Sequence, residues 1–482
     1  MDNTDFDLVV VGAGSGGISS ANLAKNLGKR VAIVENDKVG GECTWSGCVP
    51  SKALIRASQI AHDVNHLNEY GLQIDGSLQL NTKNVMSYVR SVIEKVYKEE
   101  KPEIFEKMGI SVFLGNPKFI DNHRLKVGEQ ILTSKSFIIA TGSSPFLPPI
   151  EGLHDAPYLT NKTIFDLEVL PDSMIILGAG PIGIEIASAL NRLGVKITVL
   201  DMSDHILPRE DQELVDILSD RLKAEGVKLL TSTKATSLSR QDDGIVFTVQ
   251  NGKGQIEKIK GESTLIAVGR KPNTSGFDLV NAGVEYNPKG IIVNNMLQTT
   301  AKNIYACGDV VGPYQFSHMA EYQATIAVMN AVLPIPIKKK VDYSNVVWAT
   351  FTDPELARAG FTEEEARERY GDKIRVYRHY YNRVDRGKTD NMEIGMSKFI
   401  CSRKGNLLGI HILGEGASEL LHEAQLAKSL KISFAQIQSV IHVYPTYSDV
   451  IKRPSGQLYA DRIRENFFVK ILQGLFSKKD VK

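Results

Sequence analysis

The chain has 482 residues, of which 42% are hydrophobic and 23% charged, so it is long enough for about three domains with large cores. Its formal net charge is +1, with both signs mixed along the chain, and this balance gives no indication of a nucleic-acid partner. It has four cysteines, an N-terminal stretch unlike a leader peptide, and no apolar run long enough to span a bilayer. These features predict a cytoplasmic protein without a transmembrane segment.

A dinucleotide-binding fingerprint opens the chain. Residues 7–11 (DLVVV) predict a strand, residues 12–17 (GAGSGG) predict a tight turn into a helix, and residues 31–35 predict a second strand that ends at Glu35. Glycines let the backbone approach a pyrophosphate at the helix N terminus, and the closing acid can bond a ribose hydroxyl. One such fingerprint is a weak signal when it stands alone.

Two of the four cysteines follow this unit in residues 40–52 (GGECTWSGCVPSK). The four residues between Cys43 and Cys48 can form a small loop in which the two sulfurs meet. Residues 49–52 predict a helix start, because proline fits the first turn, where its missing N–H is not needed. A helix N terminus favours thiolate, so this pattern predicts a redox dithiol rather than a structural disulfide or two inert thiols.

The same fingerprint recurs after a proline-marked boundary near residue 150. Residues 137–145 predict a buried strand that ends at a glycine turn. Residues 174–201 then repeat strand, glycine turn, helix and strand, and the first glycine and closing acid, Gly178 and Asp201, are as far apart as in the first copy. Two copies in register predict two dinucleotide sites. Because Met202 and Ser203 follow Asp201 in place of arginine or lysine, NADH is the expected nicotinamide cofactor.

The later elements complete this order. Residues 265–273 have the shape of the strand at 137–145, and residues 303–310 predict a short strand with Asp309 at its carboxyl end, where open α/β sheets bind ligands. Pro334 and Pro336 precede a different C-terminal third, with strands expected at 394–401 and 407–413 and a helix at 419–430.

These motifs, in this order and over nearly the whole chain, resemble the class I pyridine nucleotide-disulfide oxidoreductases, the family of glutathione reductase, dihydrolipoamide dehydrogenase and mercuric reductase. The resemblance implies an α/β fold with two Rossmann-like dinucleotide-binding domains, for FAD and NAD(P), and a C-terminal α+β dimerisation domain. The expected domains are FAD-binding at 1–150, NAD(P)-binding at 151–270, a central continuation of the FAD-binding domain at 271–341, and the dimerisation domain at 342–482.

The resemblance also implies the roles of individual residues. Cys48 is expected to be the charge-transfer thiol beside the flavin, and Cys43 the interchange thiol that faces the substrate. Lys52 is expected by flavin N5, paired with Glu185. The positions expected to bind the cofactors are Gly12, Gly14, Gly17, Glu35, Gly41, Thr141, Gly142, Gly178, Gly180, Gly183, Asp201, Gly269, Asp309 and Ala320. No metal site is expected.

The chain departs from the family at the acid/base motif near the C terminus. Disulfide reductases of the family have a His-Pro-Thr-x-x-Glu motif there, but residues 442–449 (HVYPTYSD) have Tyr444 in place of the catalytic histidine and Asp449 in place of the glutamate. A tyrosine titrates near 10, so it cannot shuttle protons at neutral pH as histidine does. His442 is a possible substitute, although a structural role is favoured. The Tyr444-Pro445 bond is expected to be cis, as in the family.

Tyrosine at this position resembles the mercuric reductase branch, although the chain lacks that branch's C-terminal cysteine pair. We therefore expect an enzyme that passes electrons from NAD(P)H through FAD and the Cys43–Cys48 disulfide to a metal ion or another non-thiol acceptor. A dihydrolipoamide dehydrogenase-like or other disulfide reductase is the alternative within enzymes. A non-enzymatic flavoprotein that serves a partner is the alternative outside them.

The expected assembly is a homodimer with composite active sites, in which Tyr444 of one chain approaches Cys43 of the other. The amphipathic tail at 467–476 is expected to pack on its own dimer rather than on a membrane surface. Cys307 and Cys401 are expected to be buried.

Overall fold

The computed structural model describes residues 4–74, 79–242, 244–334 and 336–476. It divides into two compact units. The first contains the described residues of 1–202 and 230–342, and the second contains those of 203–229 and 343–482. The four domain bounds expected from the sequence remain a proposal.

The regular elements are as follows. The strands are β1 (Phe6–Val11), β2 (Val31–Glu35), β3 (Ile110–Leu114), β4 (Pro117–Phe119), β5 (Arg124–Val127), β6 (Gln130–Ile139), β7 (Ser143–Pro145), β8 (Ser173–Leu177), β9 (Lys196–Leu200), β10 (Lys228–Leu230), β11 (Lys234–Gln241), β12 (Gly244–Gln250), β13 (Ile256–Gly261), β14 (Ser263–Ile266), β15 (Arg270–Pro272), β16 (Tyr286–Asn287), β17 (Gly290–Ile291), β18 (Ile304–Ala306), β19 (Val347–Thr350), β20 (Glu355–Gly360), β21 (Ile374–Tyr380), β22 (Met396–Ser402) and β23 (Leu407–Gly414). The helices are α1 (Ser15–Asn26), α2 (Gly41–Trp45), α3 (Cys48–Asn65), α4 (Thr82–Tyr97), α5 (Pro102–Lys107), α6 (Pro181–Arg192), α7 (Gln212–Ala224), α8 (Ser317–Val332), α9 (Glu363–Tyr370), α10 (Asp385–Thr389), α11 (Ala417–Ser429), α12 (Asp449–Glu465) and α13 (Phe467–Phe476).

The first unit is built on a sheet in which β3, β2, β1 and β6 are parallel neighbours. The apolar run of β1 is buried, as is typical of parallel strands covered on both faces. The last residues of β6 pair in parallel with β1 and β18, while its first residues pair antiparallel with β5. Because β18 lies within 271–341, that segment returns to the sheet of the first fingerprint.

The second fingerprint forms its own parallel strands within the first unit. β8 pairs with β9 on one side and with β14 on the other, and the antiparallel strands β11, β12 and β13 form a separate sheet. Apolar side chains of both sheets share one core that includes Ile175, Leu177, Phe247 and Ile266. The two Rossmann-like halves expected from the repeat are thus present.

The second unit is α+β. Its five-stranded antiparallel sheet has the order β19-β20-β23-β22-β21. One face carries an apolar core that includes side chains of α11 and α12. Cys401 is buried in this core and Cys307 in that of the first unit, as expected from the sequence.

The other face of this sheet carries a row of polar side chains at matched register. The neighbours across the five strands are Trp348, Arg358, His411, Lys398 and Arg378. Arg358, His411 and Lys398 are buried. Carboxylates from two segments contact the row: Glu210, Asp211 and Glu213 from the start of α7, and Glu363 and Glu365 from α9.

Within the described residues, none of the helices has both the length and the apolar composition needed to cross a bilayer. The tail does form a helix, α13, on which Phe467, Phe468 and Ile471 are exposed. Its packing on a second copy of the chain stays a prediction.

Candidate active site

The first glycine turn is shaped by close backbone packing at two glycines and by looser packing at a third. Gly12 has a φ of +104°, and a Cβ there would lie 2.4 Å from the Ala140 carbonyl oxygen. A Cβ on Gly17 would lie 1.8 Å from the Gly12 oxygen. At Gly14, which precedes α1, the nearest atom to a Cβ would be Gly41 Cα at 3.8 Å. The space therefore lies at a helix N terminus, where a pyrophosphate would bind.

The second turn has the same construction. A Cβ on Gly178 would lie 2.5 Å from the Ala267 oxygen, and one on Gly183 would lie 2.0 Å from the Gly178 oxygen. A Cβ on Gly180, which precedes α6, would meet no atom within 4 Å. The two turns thus leave equivalent spaces.

The acid that closes each fingerprint is tied to its glycine turn. The Ala13 N–H donates to Glu35 Oε2 at 2.7 Å, and the Ala179 N–H donates to Asp201 Oδ2 at 2.6 Å. Both carboxylates are therefore held beside the space at the helix N terminus, where the ribose next to a pyrophosphate would lie. These residues fit a dinucleotide at each turn.

The dithiol segment is packed directly on the first turn. The Gly40 N–H donates to the Ala13 oxygen at 2.9 Å, and a Cβ on Gly41 would lie 2.6 Å from Gly14 Cα. Both glycines have positive φ angles, +98° and +60°. The glycine pair is therefore required by backbone approach, and it brings the cysteine loop to the expected FAD site.

Cys48 is the first residue of α3, which confirms the predicted helix start. Cys48 as a whole residue is exposed, whereas Cys43 is half-buried. A hydrogen bond from Cys43 lowers the pKa of Cys48 to about 6. The Ser317 hydroxyl and the Lys52 charge lower this pKa further, whereas burial opposes them. Ser317 Oγ lies 3.5 Å from Cys48 Sγ. The hydrogen bond to Cys48, together with burial, raises the pKa of Cys43. At neutral pH the pair is therefore a Cys48 thiolate and a Cys43 thiol.

Lys52 lies one helical turn after Cys48 on α3. Its Nζ donates to Glu185 Oε2 on α6 at 2.7 Å, and the Glu185 side chain is only 9% exposed. The pairing predicted from the resemblance is confirmed. It fixes a positive charge near the Cys48 thiolate.

The remaining expected cofactor-binding positions lie around Asp309. Asp309 Oδ2 accepts from Ser143 Oγ at 2.6 Å and lies 3.6 Å from Arg270 Nε. Burial raises the pKa of this carboxyl. Thr141 Oγ1 donates to the Asn273 carbonyl oxygen at 2.8 Å. Ala320 is buried in the first turn of α8.

Gly142 and Gly269 follow β6 and β14. Their φ angles are +67° and +144°, and a Cβ on either would meet no atom within 4 Å. Like Gly180, they leave space beside a predicted nucleotide turn.

Four residues of the site were missed by the sequence reasoning. Glu42 and Arg270 form a two-pronged ion pair, with 2.6 Å between Arg270 Nη1 and Glu42 Oε1. Both residues lie inside motifs that the sequence analysis identified. Their opposite charges, next to Cys43 and Gly269, could therefore have indicated that the two motifs form an ion pair. Ser317 and Asn161, which also contact the dithiol segment, carried no comparable signal.

The C-terminal motif lies in the second unit, where Tyr444 is 67% exposed. Its hydroxyl donates to Asp385 Oδ2 at 3.0 Å, and this hydrogen bond raises the pKa of Tyr444. Asp449, the first residue of α12, accepts from Arg453 Nη2 at 3.3 Å. The predicted cis bond before Pro445 is confirmed.

His442 has a different environment from Tyr444. Its Nε2 lies 2.8 Å from Glu423 Oε1, and its Nδ1 lies 3.0 Å from the Val440 oxygen. Both ring nitrogens have protein partners, which favours the structural interpretation of this residue.

The fold and the site define an oxidoreductase with two dinucleotide turns and a thiolate–thiol pair whose segment is packed on the first of them. The chain belongs to the pyridine nucleotide-disulphide oxidoreductase family, whose model matches residues 6–324, while the model of the family's dimerisation domain matches residues 346–454.

Known proteins of two activities are similar over nearly the whole chain. A mercuric reductase of Staphylococcus aureus is 31% identical, over 93% of this chain and 81% of its own. A dihydrolipoyl dehydrogenase of Bacillus subtilis is 32% identical, over 93% of this chain and 97% of its own. The solved structure of the HOCl-induced flavoprotein disulfide reductase RclA from Escherichia coli superposes with a TM-score of 0.84 at 27% identity, covering 93% of this chain and 99% of that one. RclA has also been solved as a Cu(II) complex.

The protein is therefore an enzyme, an oxidoreductase that uses FAD and NAD(P)H.

Proposed function

We propose that this enzyme transfers electrons from NADH to a thiophilic metal ion, with Cys43 and Cys48 as the residues that meet the acceptor. FAD, when bound at the first glycine turn, supplies the two-electron carrier between nicotinamide and dithiol. The protein's part is to hold both nucleotides, to keep Cys48 as a thiolate, and to present Cys43 to the acceptor.

The environment of Tyr444 carries this proposal. Reduction of a disulfide substrate needs a group that removes a proton from the attacking thiol and returns one to the leaving thiol. Tyr444 stands at the family's histidine position, and Asp385 raises its already high pKa, so it holds its proton at neutral pH. A soft metal ion needs no such shuttle, because thiolates bind it directly.

Two relatives support a metal acceptor, since one is named a mercuric reductase and another has been solved with Cu(II). The dihydrolipoyl dehydrogenase relative supports a disulfide acceptor as the second candidate. Because the family consists of enzymes, the non-enzymatic alternative is set aside.

The proposal includes a homodimer, in which Tyr444 of the partner subunit approaches Cys43. Support comes from the match to the family's dimerisation domain and from the exposed apolar side chains Ile441 and Val443 beside Tyr444. The cytoplasm is the proposed location, because a reducing compartment suits a chain with few cysteines and a redox pair among them.

The acceptor is tested by NADH oxidation with Hg(II), Cu(II), lipoamide, glutathione disulfide and quinones. We expect kcat/KM for a metal ion to exceed that for either disulfide by about 10²-fold or more, the usual contribution of a general acid/base. Tyr444→His should raise disulfide turnover by at least about tenfold, since imidazole titrates near neutral pH.

Tyr286→His is the matched control, because Tyr286 is an exposed tyrosine of the first unit on β16. It should leave every acceptor's rate unchanged. Wild-type lipoamide reduction with kcat/KM in the usual enzyme range of about 10⁴–10⁸ M⁻¹s⁻¹ would reject the metal proposal in favour of the second candidate.

The nicotinamide preference depends on Asp201. Its carboxylate can accept from a ribose 2′-hydroxyl, whereas a 2′-phosphate would be repelled. We expect kcat/KM to be at least about tenfold higher with NADH than with NADPH, because juxtaposed like charges cost several kcal/mol. Asp201→Asn should lower the ratio of kcat/KM with NADH to kcat/KM with NADPH. Equal rates of the wild type with both cofactors would contradict the assignment.

A further inference from the structure

The carboxylate of Glu42 lies next to the redox cysteines and is engaged from two directions. Arg270 Nη1 donates to Glu42 Oε1 at 2.6 Å, and Arg270 Nη2 donates to Glu42 Oε2. The Arg270 and Glu42 side chains are only 14% and 26% exposed. A two-pronged, partly buried pair of this kind is strong and fixes orientation.

The guanidinium of Arg270 is itself held in place. Its Nε donates to Ser143 Oγ at 2.7 Å and its Nη2 to the Ser143 oxygen at 3.1 Å. Ser143 Oγ donates in turn to Asp309. Glu42 is therefore anchored to the segment expected to contact the flavin, and not to a mobile surface side chain.

Asn161 adds a second tie to the same segment. Its buried Nδ2 donates to Glu42 Oε1 and also to the Ser46 carbonyl oxygen, at 3.2 Å for the latter. Glu42 precedes Cys43, and Ser46 lies two residues before Cys48. One amide nitrogen thus joins two points on the loop between the cysteines.

We propose that Glu42, Arg270 and Asn161 are positioning residues that hold the cysteine loop in the geometry of the disulfide and so make the dithiol more reducing. Fixing the chain on both sides of Cys43 raises the effective concentration of one thiol at the other. This inference rests on the proposed role of Cys43 and Cys48 but not on the identity of the acceptor.

The effect of this geometry is measured by thiol–disulfide exchange between the Cys43–Cys48 pair and dithiothreitol, whose equilibrium constant shows how reducing the protein dithiol is. The Cys43–Cys48 S–S bond forms as the S–S bond of oxidised dithiothreitol breaks. Two electrons pass from the protein sulfurs to that reagent, and its two sulfurs take up the Cys43 proton and one proton from the solvent. The holoenzyme is equilibrated in graded ratios of reduced to oxidised dithiothreitol, the thiols are trapped by alkylation, and the two forms are counted by mass spectrometry.

We expect Glu42→Gln and Asn161→Ala each to shift the equilibrium constant about tenfold toward the dithiol, which is about 30 mV for a two-electron couple. Arg270→Lys keeps the charge but loses the two-pronged contact, so it should shift the constant in the same direction. Lys162→Ala, at an exposed residue beside Asn161, is the matched control and should keep the wild-type value.

A residue needed only for folding would destabilise the dithiol and disulfide forms equally and leave the constant unchanged. If folded Glu42→Gln and Arg270→Lys proteins both stay within twofold of the wild type, the inference is wrong. If the wild type itself forms no Cys43–Cys48 disulfide in any buffer, the proposed function fails instead.

Discussion

Replacing Cys48 by serine is expected to lower acceptor reduction by at least about 10³-fold, as loss of an essential catalytic group does in other enzymes. A serine hydroxyl forms neither an anion at neutral pH nor a disulfide with Cys43. The same variant should lack the long-wavelength absorption expected of a thiolate beside the flavin in the two-electron-reduced wild type. Steady-state NADH oxidation and absorption spectra measure the two effects.

The pH dependence of alkylation gives an independent check of the same thiolate. Because the pKa of Cys48 is lowered to about 6, its reaction with iodoacetamide in the reduced protein should rise through pH 6 and level off above it. Cys43 should react only at much higher pH. Cys401→Ala, at a buried cysteine of the second unit, is the control and should keep full activity and the absorption band. An unchanged band in Cys48→Ser would mean that another group is the charge-transfer donor.

The second large effect is on stability, and it concerns Lys398. Its side chain is 4% exposed and contacts three carboxylates, with Nζ to oxygen distances of 2.8 Å to Asp211, 3.0 Å to Glu213 and 2.8 Å to Glu363. Lys398→Met would leave these acids without their shared cation. We expect the free energy of unfolding to fall by about 3–5 kcal/mol, as when one partner of a buried ion pair is removed.

Urea denaturation followed by circular dichroism measures this loss. Lys404→Met, at an exposed lysine in the turn between β22 and β23, is the matched control and should change little. Adding Asp211→Asn to Lys398→Met should recover part of the loss, because the two residues interact directly. A single variant as stable as the wild type would show that the carboxylates find other partners.

The same region of the second unit determines whether the free energy of unfolding rises or falls with pH. Burial lowers the pKa of His411 to about 4, so the folded chain binds fewer protons there than the unfolded chain between about pH 6.5 and 4. Burial would raise the pKa of Asp211, but His411 and Lys398 lower it overall. Both effects remove stability as the pH falls, so the urea midpoint of the wild type should decrease from pH 7 to pH 4.

The sequence was sufficient for the parts of the site that consist of local motifs. Gly12 and Gly178 stand in turns that need positive φ angles, and the closing acids follow at a fixed spacing, so both nucleotide turns were predictable from residues close in the chain. The Lys52–Glu185 pair and the cis bond before Pro445 came from the family resemblance alone.

Contacts between distant segments were not predictable in this way. Glu42 and Arg270 are 228 residues apart, and the row that includes Lys398 exists only because five strands align in one register. Asp449 stands in place of the motif's glutamate, yet the acid that the Tyr444 hydroxyl contacts is Asp385. In each case the partner is set by strand register or loop path, which composition and spacing do not encode.

The pairing of β18 with β6 also has a consequence for synthesis on the ribosome. β6 ends at Ile139, but its parallel partner β18 begins only at Ile304, and all strands of the β8-β9-β14 group are translated in between. At usual translation rates, on the order of ten seconds pass between the synthesis of β6 and that of β18, and during this time the β6 edge has no β18 partner. The inserted nucleotide-binding half can therefore finish folding while the half that encloses it is still open, with an unpaired strand edge available to chaperones.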